Sequence, residues 1–184
     1  MLLLTLVIVI VVAVIAVGVA MYNGLIRSKN QVENAWSQID VQLKRRLDLI
    51  PNLVDTVKGY AAHEQETFQQ VIAARNAAID APNTPAGQAA PNDTLTGALG
   101  KLFALSEAYP ELKANQNFLA LQEELTATEG RVAYARQFYN DSILDYNNKI
   151  ESVPTVFVAK MLGYQQREYF EADEAARTAP GVGF

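Results

Sequence analysis

The sequence predicts an all-α protein in which an N-terminal transmembrane helix is followed by an antiparallel bundle of roughly four long helices. Two observations support this: an uncharged apolar run near the start of the chain, and apolar residues at helical spacing through most of the remainder. In addition, no stretch shows the alternation of a half-buried strand. We therefore divide the chain into a membrane anchor at 1–21, a bundle at 22–178 and a flexible tail at 179–184.

The first element is a membrane-spanning helix between Leu2 and Ala20. Seventeen of these 19 residues are apolar and none is charged. A helix of this length spans about 28 Å, close to the roughly 30 Å of a hydrocarbon core. Helix is required because lipid offers no partner to backbone N–H and C=O groups. A cleaved signal peptide, which would give a secreted soluble form, and a buried core helix remain alternatives.

Basic residues beside the span predict its orientation. Arg27 and Lys29 follow it closely, whereas the residues before it carry no basic side chain. Because cytoplasmic flanks are enriched in Lys and Arg, we expect the N-terminus outside and the helical domain in the cytoplasm.

An apolar stripe from about 30 to 79 predicts one long amphipathic helix, about 75 Å long if straight. Pro51 removes one backbone N–H and crowds the carbonyl of Leu47. The stripe keeps its register across the proline, so we expect a kink rather than a hairpin. Such a stripe is longer than the short third segment can cover, which predicts a partner for the uncovered part, either a second copy or another membrane protein.

Residues 80–93 contain three prolines and one glycine, which predicts an exposed loop. Asp93 or Thr94 then caps a short helix that ends near Pro110. A long helix follows, from about 112–117 to 152, and a last helix runs from 156 to about 177. The apolar seam of the long helix comprises Phe118, Leu121, Leu125, Thr128, Val132, Ala135, Tyr139, Tyr146 and Ile150, and the last helix carries Phe157, Met161, Tyr164 and Phe170.

Composition excludes most catalytic chemistries. The chain has no cysteine and one histidine, His63, which removes thiolate nucleophiles, disulfides, sulfur-ligated metals and multi-histidine centres. A net charge of −5 argues against a nucleic-acid binder. His63, between Glu64 and Glu66, is expected on a helix surface. We expect no cofactor, no small-molecule substrate and no enzymatic activity.

Charged residues form two further groups at helical spacing. The triplet Lys44-Arg45-Arg46 is interpreted as a solvated or ion-pairing helix face, with Asp40 four residues before Lys44. The second group comprises Glu123, Glu124, Glu129, Arg131 and Arg136. A solvent-facing charge lattice is favoured for it over a carboxylate pocket.

Several polar and aromatic residues are candidates for contacts inside the bundle or for an interface: Trp36, Pro51, Asn52, Tyr139, Asn140, Tyr146 and Asn147. The amide of Asn52 is placed to bind the carbonyl freed by the proline. The two Tyr-Asn pairs are seven residues apart, hence on one helix face, and are expected to hydrogen-bond to the first long helix. A binding surface is the alternative.

Several stretches of the sequence, in the same order along the chain, resemble the LemA family, and the resemblance covers nearly the whole chain. It is carried by residues 30–60 (NQVENAWSQIDVQLKRRLDLIPNLVDTVKGY), 108–115 (AYPELKAN), 121–125 (LQEEL), 136–141 (RQFYND), Tyr146-Asn147, and the spacing of Pro154, Ala159 and Gly163. It implies a bacterial single-pass inner-membrane protein with a cytoplasmic helical bundle and no established activity or cofactor.

The function expected from these observations is that of a membrane-anchored helical scaffold or interaction protein that self-associates. A regulatory or adaptor subunit of a membrane peptidase or signalling system is the alternative.

Overall fold

The computed structural model describes residues 1–170, and within them every regular element is an α-helix. The helices are α1 (Leu2–Lys58), α2 (Gln65–Asp80), α3 (Pro85–Ser106), α4 (Pro110–Lys113), α5 (Gln116–Glu151) and α6 (Thr155–Met161). The all-α class is therefore confirmed. The tail at 179–184 and the end of the expected last helix lie outside the described residues.

The helices contribute to two compact units, which we describe separately. Unit 1 comprises Met1–Ser37 and Gln137–Tyr169, and unit 2 comprises Gln38–Arg136 with the described residue Phe170. Helices α1 and α5 each supply residues to both units. Helices α2, α3 and α4 lie wholly in unit 2, whereas α6 lies wholly in unit 1.

The apolar window of α1 is not buried against any of residues 1–170, which the structure describes. An 18-residue window of this helix has a mean hydropathy of 3.4, and none of it is buried. A core helix would be covered by other elements, so the alternative of a buried core helix is wrong. This single N-terminal apolar helix fits a membrane anchor in length and composition.

The core of unit 2 is built from one face of each of its helices. Within the stripe predicted from the sequence, Ile50, Leu53 and Val57 are fully buried. They pack in one cluster with residues of α2 to α5, including Phe68, Val71, Leu95, Leu99, Leu102, Leu112, Phe118 and Leu125. The amphipathic pattern therefore identifies the faces that exclude water.

The stripe is carried by two helices, so the prediction of one helix from 30 to 79 is wrong. Helix α1 continues through Pro51 and ends at Lys58, and α2 begins at Gln65. Between them the backbone turns, with the N–H groups of Tyr60 and Ala61 both bonded to the carbonyl of Val57. Apolar residues recur at the same spacing in both helices because both face one core. The 75 Å stripe, and the argument for a partner that rested on it, does not hold.

Most of the predicted loop at 80–93 is helical, which corrects a second prediction. Helix α3 begins at Pro85, a position where the missing proline N–H costs nothing. The side chain of Thr84 caps it by accepting a hydrogen bond from the N–H of Gly87. A Cβ at Gly87 would lie 2.7 Å from the carbonyl oxygen of Pro82, so this close turn needs glycine. The expected cap at Asp93 or Thr94 is therefore wrong.

Helix α5 confirms the predicted long helix, but the last helix is shorter than expected. Except for partly buried Leu121, the predicted seam of α5 is buried throughout. Helix α6 ends at Met161 because Gly163 adopts a left-handed conformation with φ of 71°. The N–H of Tyr164 binds the carbonyl of Ala159, and that of Gly163 binds the carbonyl of Lys160, the hydrogen-bond pair of a glycine-terminated helix. Residues 164–170 follow without helix.

Candidate functional site

In unit 1, two tyrosines of α5 hold the segment that follows α6. The hydroxyl of Tyr146 donates to the carbonyl of Gln165 at 3.0 Å. The hydroxyl of Tyr139 donates to the carbonyl of Glu168 at 3.2 Å. The sequence places both tyrosines on one face of α5, and the structure shows that their hydroxyls donate to carbonyl groups of residues 165 and 168. For these two hydroxyls, the expectation of a partner on the first helix is wrong.

Asn147 makes a paired contact with the same segment. Its amide nitrogen donates to the carbonyl of Arg167 at 3.1 Å, and its amide oxygen accepts from the N–H of Arg167 at 3.0 Å. The guanidinium of Arg167 in turn binds Glu33 of α1 at 3.2 Å. The nitrogen and the oxygen of the Asn147 side-chain amide thus bind the backbone carbonyl and N–H of Arg167, which have no partner within a helix. Asn140, the other predicted member, lies half-buried beside Tyr139.

The aromatic ring of Tyr139 does reach the first helix. It meets the ring of Trp36 edge to face, with centroids 5.8 Å apart and planes at 61°. Such pairs add about 0.5–1.5 kcal/mol to the burial of the rings. Burial raises the pKa of the Tyr139 hydroxyl above its ordinary value. Within unit 1, Tyr139 of α5 therefore contacts α1 through its ring and binds the segment that follows α6 through its neutral hydroxyl, which acts as a hydrogen-bond donor.

At Pro51, the freed carbonyl has a partner that the sequence did not indicate. The Nε of Arg75, on α2, donates to the carbonyl of Leu47 at 2.9 Å. Asn52 points into solvent, and its own carbonyl accepts from the hydroxyl of Thr56. The expectation that the Asn52 amide binds Leu47 is therefore wrong. A charged donor from the neighbouring helix replaces the missing proline N–H.

Arg46 is buried in unit 2, so of the two interpretations of the basic triplet the ion-pairing one holds for this residue and the solvated one does not. Its side chain is 2% exposed, and its guanidinium binds Glu129 of α5 at 3.0 Å and Thr96 of α3 at 2.7 Å. Burial lowers the pKa of Arg46 from its ordinary value, while the charge of Glu129 opposes that shift. Among the described residues, its Nη1 atom lacks a hydrogen-bond partner. The guanidinium joins three helices in the interior of this unit.

The other charged residues pair on the surface rather than converge. Glu124 binds Arg45 at 2.6 Å and Arg131 at 3.1 Å, and Asp93 lies 3.6 Å from Arg136. The pair of Lys44 with Asp40, predicted from their spacing, is present at 2.8 Å. In the part of the chain that the structure describes, no three carboxylates or histidines are placed to bind a metal ion.

His63 is exposed, as expected, but it lies in the turn between α1 and α2 rather than on a helix. Its neighbour Glu64 accepts a hydrogen bond from the hydroxyl of Tyr109 at 3.0 Å. This bond is the largest cause of the raised pKa of Tyr109. The hydrogen bond joins the turn to Tyr109, which directly precedes α4.

Each unit has an open groove that is lined by both polar and apolar side chains. One in unit 1, of about 490 Å³, is lined among others by Lys29, Tyr164 and Arg167. One in unit 2, of about 410 Å³, is lined among others by Lys58 and Phe68. Neither brings together a nucleophile, a base and an anion-stabilising group, which an active site for group transfer requires.

Comparison with known proteins gives consistent matches over most of the chain. The sequence model of the LemA family matches residues 35–184. Protein LemA of Metamycoplasma hominis is 31% identical over 88% of this chain and 74% of its own. Magnetosome protein MamQ 2 of Paramagnetospirillum magneticum is 26% identical over 89% and 70%, and magnetosome protein MamQ of Magnetospirillum gryphiswaldense is 26% identical over 85% and 67%.

Arg75 should be coupled to Pro51 through the carbonyl of Leu47. We expect Arg75→Met to lower the free energy of unfolding by about 1–3 kcal/mol, because it leaves that carbonyl without a donor. In a Pro51→Ala background the alanine N–H restores the helical bond, so the same substitution should cost less by about 1 kcal/mol. Urea unfolding of the full chain in detergent, followed by circular dichroism, measures the cycle. Equal costs in both backgrounds would refute the coupling.

The two partners of the buried ion pair should differ in their effect on stability. Glu129→Gln leaves a buried guanidinium without its counter-charge and should lower the free energy of unfolding by about 1–3 kcal/mol. Arg46→Met should cost less, because the Glu129 side chain is 43% exposed and water can solvate it. Arg45→Met, in the exposed pair with Glu124, is the control and should change stability by less than about 1 kcal/mol. A larger loss for Arg46→Met than for Glu129→Gln contradicts this account.

Proposed function

The chain belongs to the LemA family, and on that premise we propose that it is a non-catalytic, membrane-anchored helical interaction protein that self-associates in the bacterial cytoplasmic membrane. The observation that carries the proposal is the apolar window of α1, which is uncharged and is not buried by the other described residues. Exposed side chains of this kind are stable in lipid and costly in water. The bilayer is thus the first partner of the chain.

The uses of its polar side chains support a non-catalytic role. Arg75 and Asn147 bind backbone groups, and Arg46 binds residues of two other helices. Each therefore contributes to the packing of its own unit. The names of the relatives, Protein LemA and magnetosome protein MamQ, describe no reaction.

Self-association is supported by the span rather than by the bundle. Ala16 and Ala20 are exposed, four residues apart, and lie on one face of α1. Small residues at this spacing let two helices approach closely in lipid, where van der Waals packing drives association. A second copy of this helix offers the same face and is the partner proposed here. The span of another membrane protein would use that face in the adaptor alternative.

The proposed orientation places the N-terminus outside and the helical domain in the cytoplasm. Arg27 and Lys29 lie just beyond the span. The ammonium of Lys149 binds the carbonyl of Gly24 at 3.3 Å, which brings a third cation to this end. Cations at this end of the span favour the cytoplasmic leaflet.

Because the chain has no cysteine, single-cysteine variants test self-association directly. In native membranes we expect Ala16→Cys to form a disulfide-linked dimer of this chain on mild oxidation. Gly18→Cys is the matched control: it points to the opposite side of the helix, and an added Cβ there meets no other atom within 4 Å.

Four outcomes would contradict the proposal. Equal crosslinking at both positions would refute the Ala16 face, and a monomer at every concentration would refute self-association. A crosslink from Ala16→Cys to a different membrane protein would favour the adaptor alternative instead. Recovery of the chain from the aqueous fraction, with an N-terminus near Met21, would refute the anchor and support the signal-peptide alternative.

The orientation is tested with a thiol reagent that cannot cross membranes. In intact cells we expect a cysteine inserted directly after Met1, at the outer end of the span, to react and Ala62→Cys, exposed in the turn between α1 and α2, to react only after lysis. The reverse pattern would show that the helical domain faces outward.

A further inference from the structure

Helix α6 and the residues beside it expose an apolar surface in unit 1. Val153, Phe157 and Met161 are 76%, 69% and 78% exposed, and Leu162 is 42% exposed. Phe157 and Met161 are four residues apart and therefore share one face of the helix. We call these four residues the α6 face. Apolar residues of this size are normally covered in a soluble protein, so their exposure together indicates a binding surface.

The end of α5 that leads into α6 lies level with the end of the span. Lys149 binds the carbonyl of Gly24, which is four residues, or about 6 Å, beyond Ala20 along α1. The headgroup region of a bilayer occupies about 5–7 Å on each side of the hydrocarbon core. Gly24 therefore lies at headgroup depth when Leu2–Ala20 fills the core, and α6 begins only six residues after Lys149.

The chain turns back at α6, so that α6 forms the tip of this end of unit 1. Farther from the span, Tyr139 contacts Trp36, which shows that α5 runs antiparallel to α1 here. After α6, Gln165 is bound to Tyr146 and Glu168 to Tyr139. The returning segment thus runs back along α5, away from the span. Residues 152–163, in which the chain turns from α5 to the returning segment, therefore lie closer to the end of the span than the residues on either side of them.

The surroundings of the α6 face have the composition of a membrane interface. Lys160 is exposed on α6, and Arg27 is exposed on α1. Tyr22 is exposed just past the span, and Tyr164 follows α6. Burial, followed by the charge of the Tyr22 phenol, raises the pKa of Tyr164. Tyrosine and basic side chains are enriched at headgroup depth.

We propose that the α6 face is a second membrane contact, which lies in the headgroup boundary of the same bilayer that α1 spans. The proposal rests on the membrane anchoring proposed above. Interfacial helices bind in this way, with the apolar side chains at the acyl boundary and the cations near lipid phosphates. The contact would fix unit 1 at two points and so limit its rotation about α1.

Fluorophore-labelled single-cysteine variants of the full chain test this in vesicles of phosphatidylethanolamine and phosphatidylglycerol. The probe is quenched by lipids that carry a nitroxide near the headgroup end of the acyl chain. We expect Phe157→Cys to lose most of its fluorescence. The control in the same unit is Asp141→Cys. Asp141 is exposed on α5 and lies about 12 Å farther from the span than Lys149 does, so the label there should keep its fluorescence.

A third label separates failure of this inference from failure of the anchor. Val11→Cys lies within the span and should be quenched by nitroxides placed deep in the acyl chain. If Val11→Cys is not quenched, the anchor itself is wrong. If Val11→Cys is quenched but Phe157→Cys behaves like Asp141→Cys, the anchor stands and the second contact is refuted. A crosslink from Phe157→Cys to another copy, without quenching, would likewise refute it.

A charge on the α6 face provides an independent check. With the label at Met161→Cys, Phe157→Glu should abolish the quenching because a carboxylate is costly to place at the acyl boundary. Leu144→Glu is the matched control, since Leu144 is exposed on α5, closer to Asp141 than to α6. Quenching that survives Phe157→Glu would overturn the proposal.

Discussion

The helical backbone of α1 is the constraint on which the rest of the protein depends. In hydrocarbon the N–H and C=O groups of residues 2–20 have no partner except one another, so this segment must be helical. The same helix runs on to Lys58 and supplies Ile50, Leu53 and Val57 to the core of unit 2. It also supplies Trp36 and Glu33 to unit 1. The helix that fits the membrane is therefore also a structural element of both folded units.

Polar side chains inside these units complete backbone groups that the helices leave open. Arg75 donates to the carbonyl freed by Pro51, and Gln88 donates to the carbonyl of Ala81 just after α2. Asn147 pairs with both backbone groups of Arg167 in the segment beyond α6. A buried carbonyl without a donor costs about 1–3 kcal/mol. These buried polar groups therefore stabilise a bundle whose helices are interrupted.

Each error in the predicted fold has its own physical cause. Apolar spacing identified the buried faces of α1, α2 and α5, but it continued in register across residues 59–64, where the chain turns. The spacing is the same for one long helix and for two helices that face one core. At 85–93 the prolines indicated a loop, whereas Pro85 occupies the first position of α3, where proline is favourable. Apolar spacing predicted a helix from 156 to about 177, but Gly163 is a residue type that commonly ends a helix, and α6 ends just before it.

By itself, the sequence determined the features that arise between near neighbours: the lipid-compatible run, the helical class, the buried seam of α5, the pair of Lys44 with Asp40, and membership of the LemA family. Tertiary structure alone decided which polar groups meet. Arg46 and Glu129 are 83 residues apart and Arg75 and Leu47 are 28 apart, so no local spacing relates them. Which charge is buried, and which carbonyl receives a donor, follows from how helices distant in sequence pack against one another.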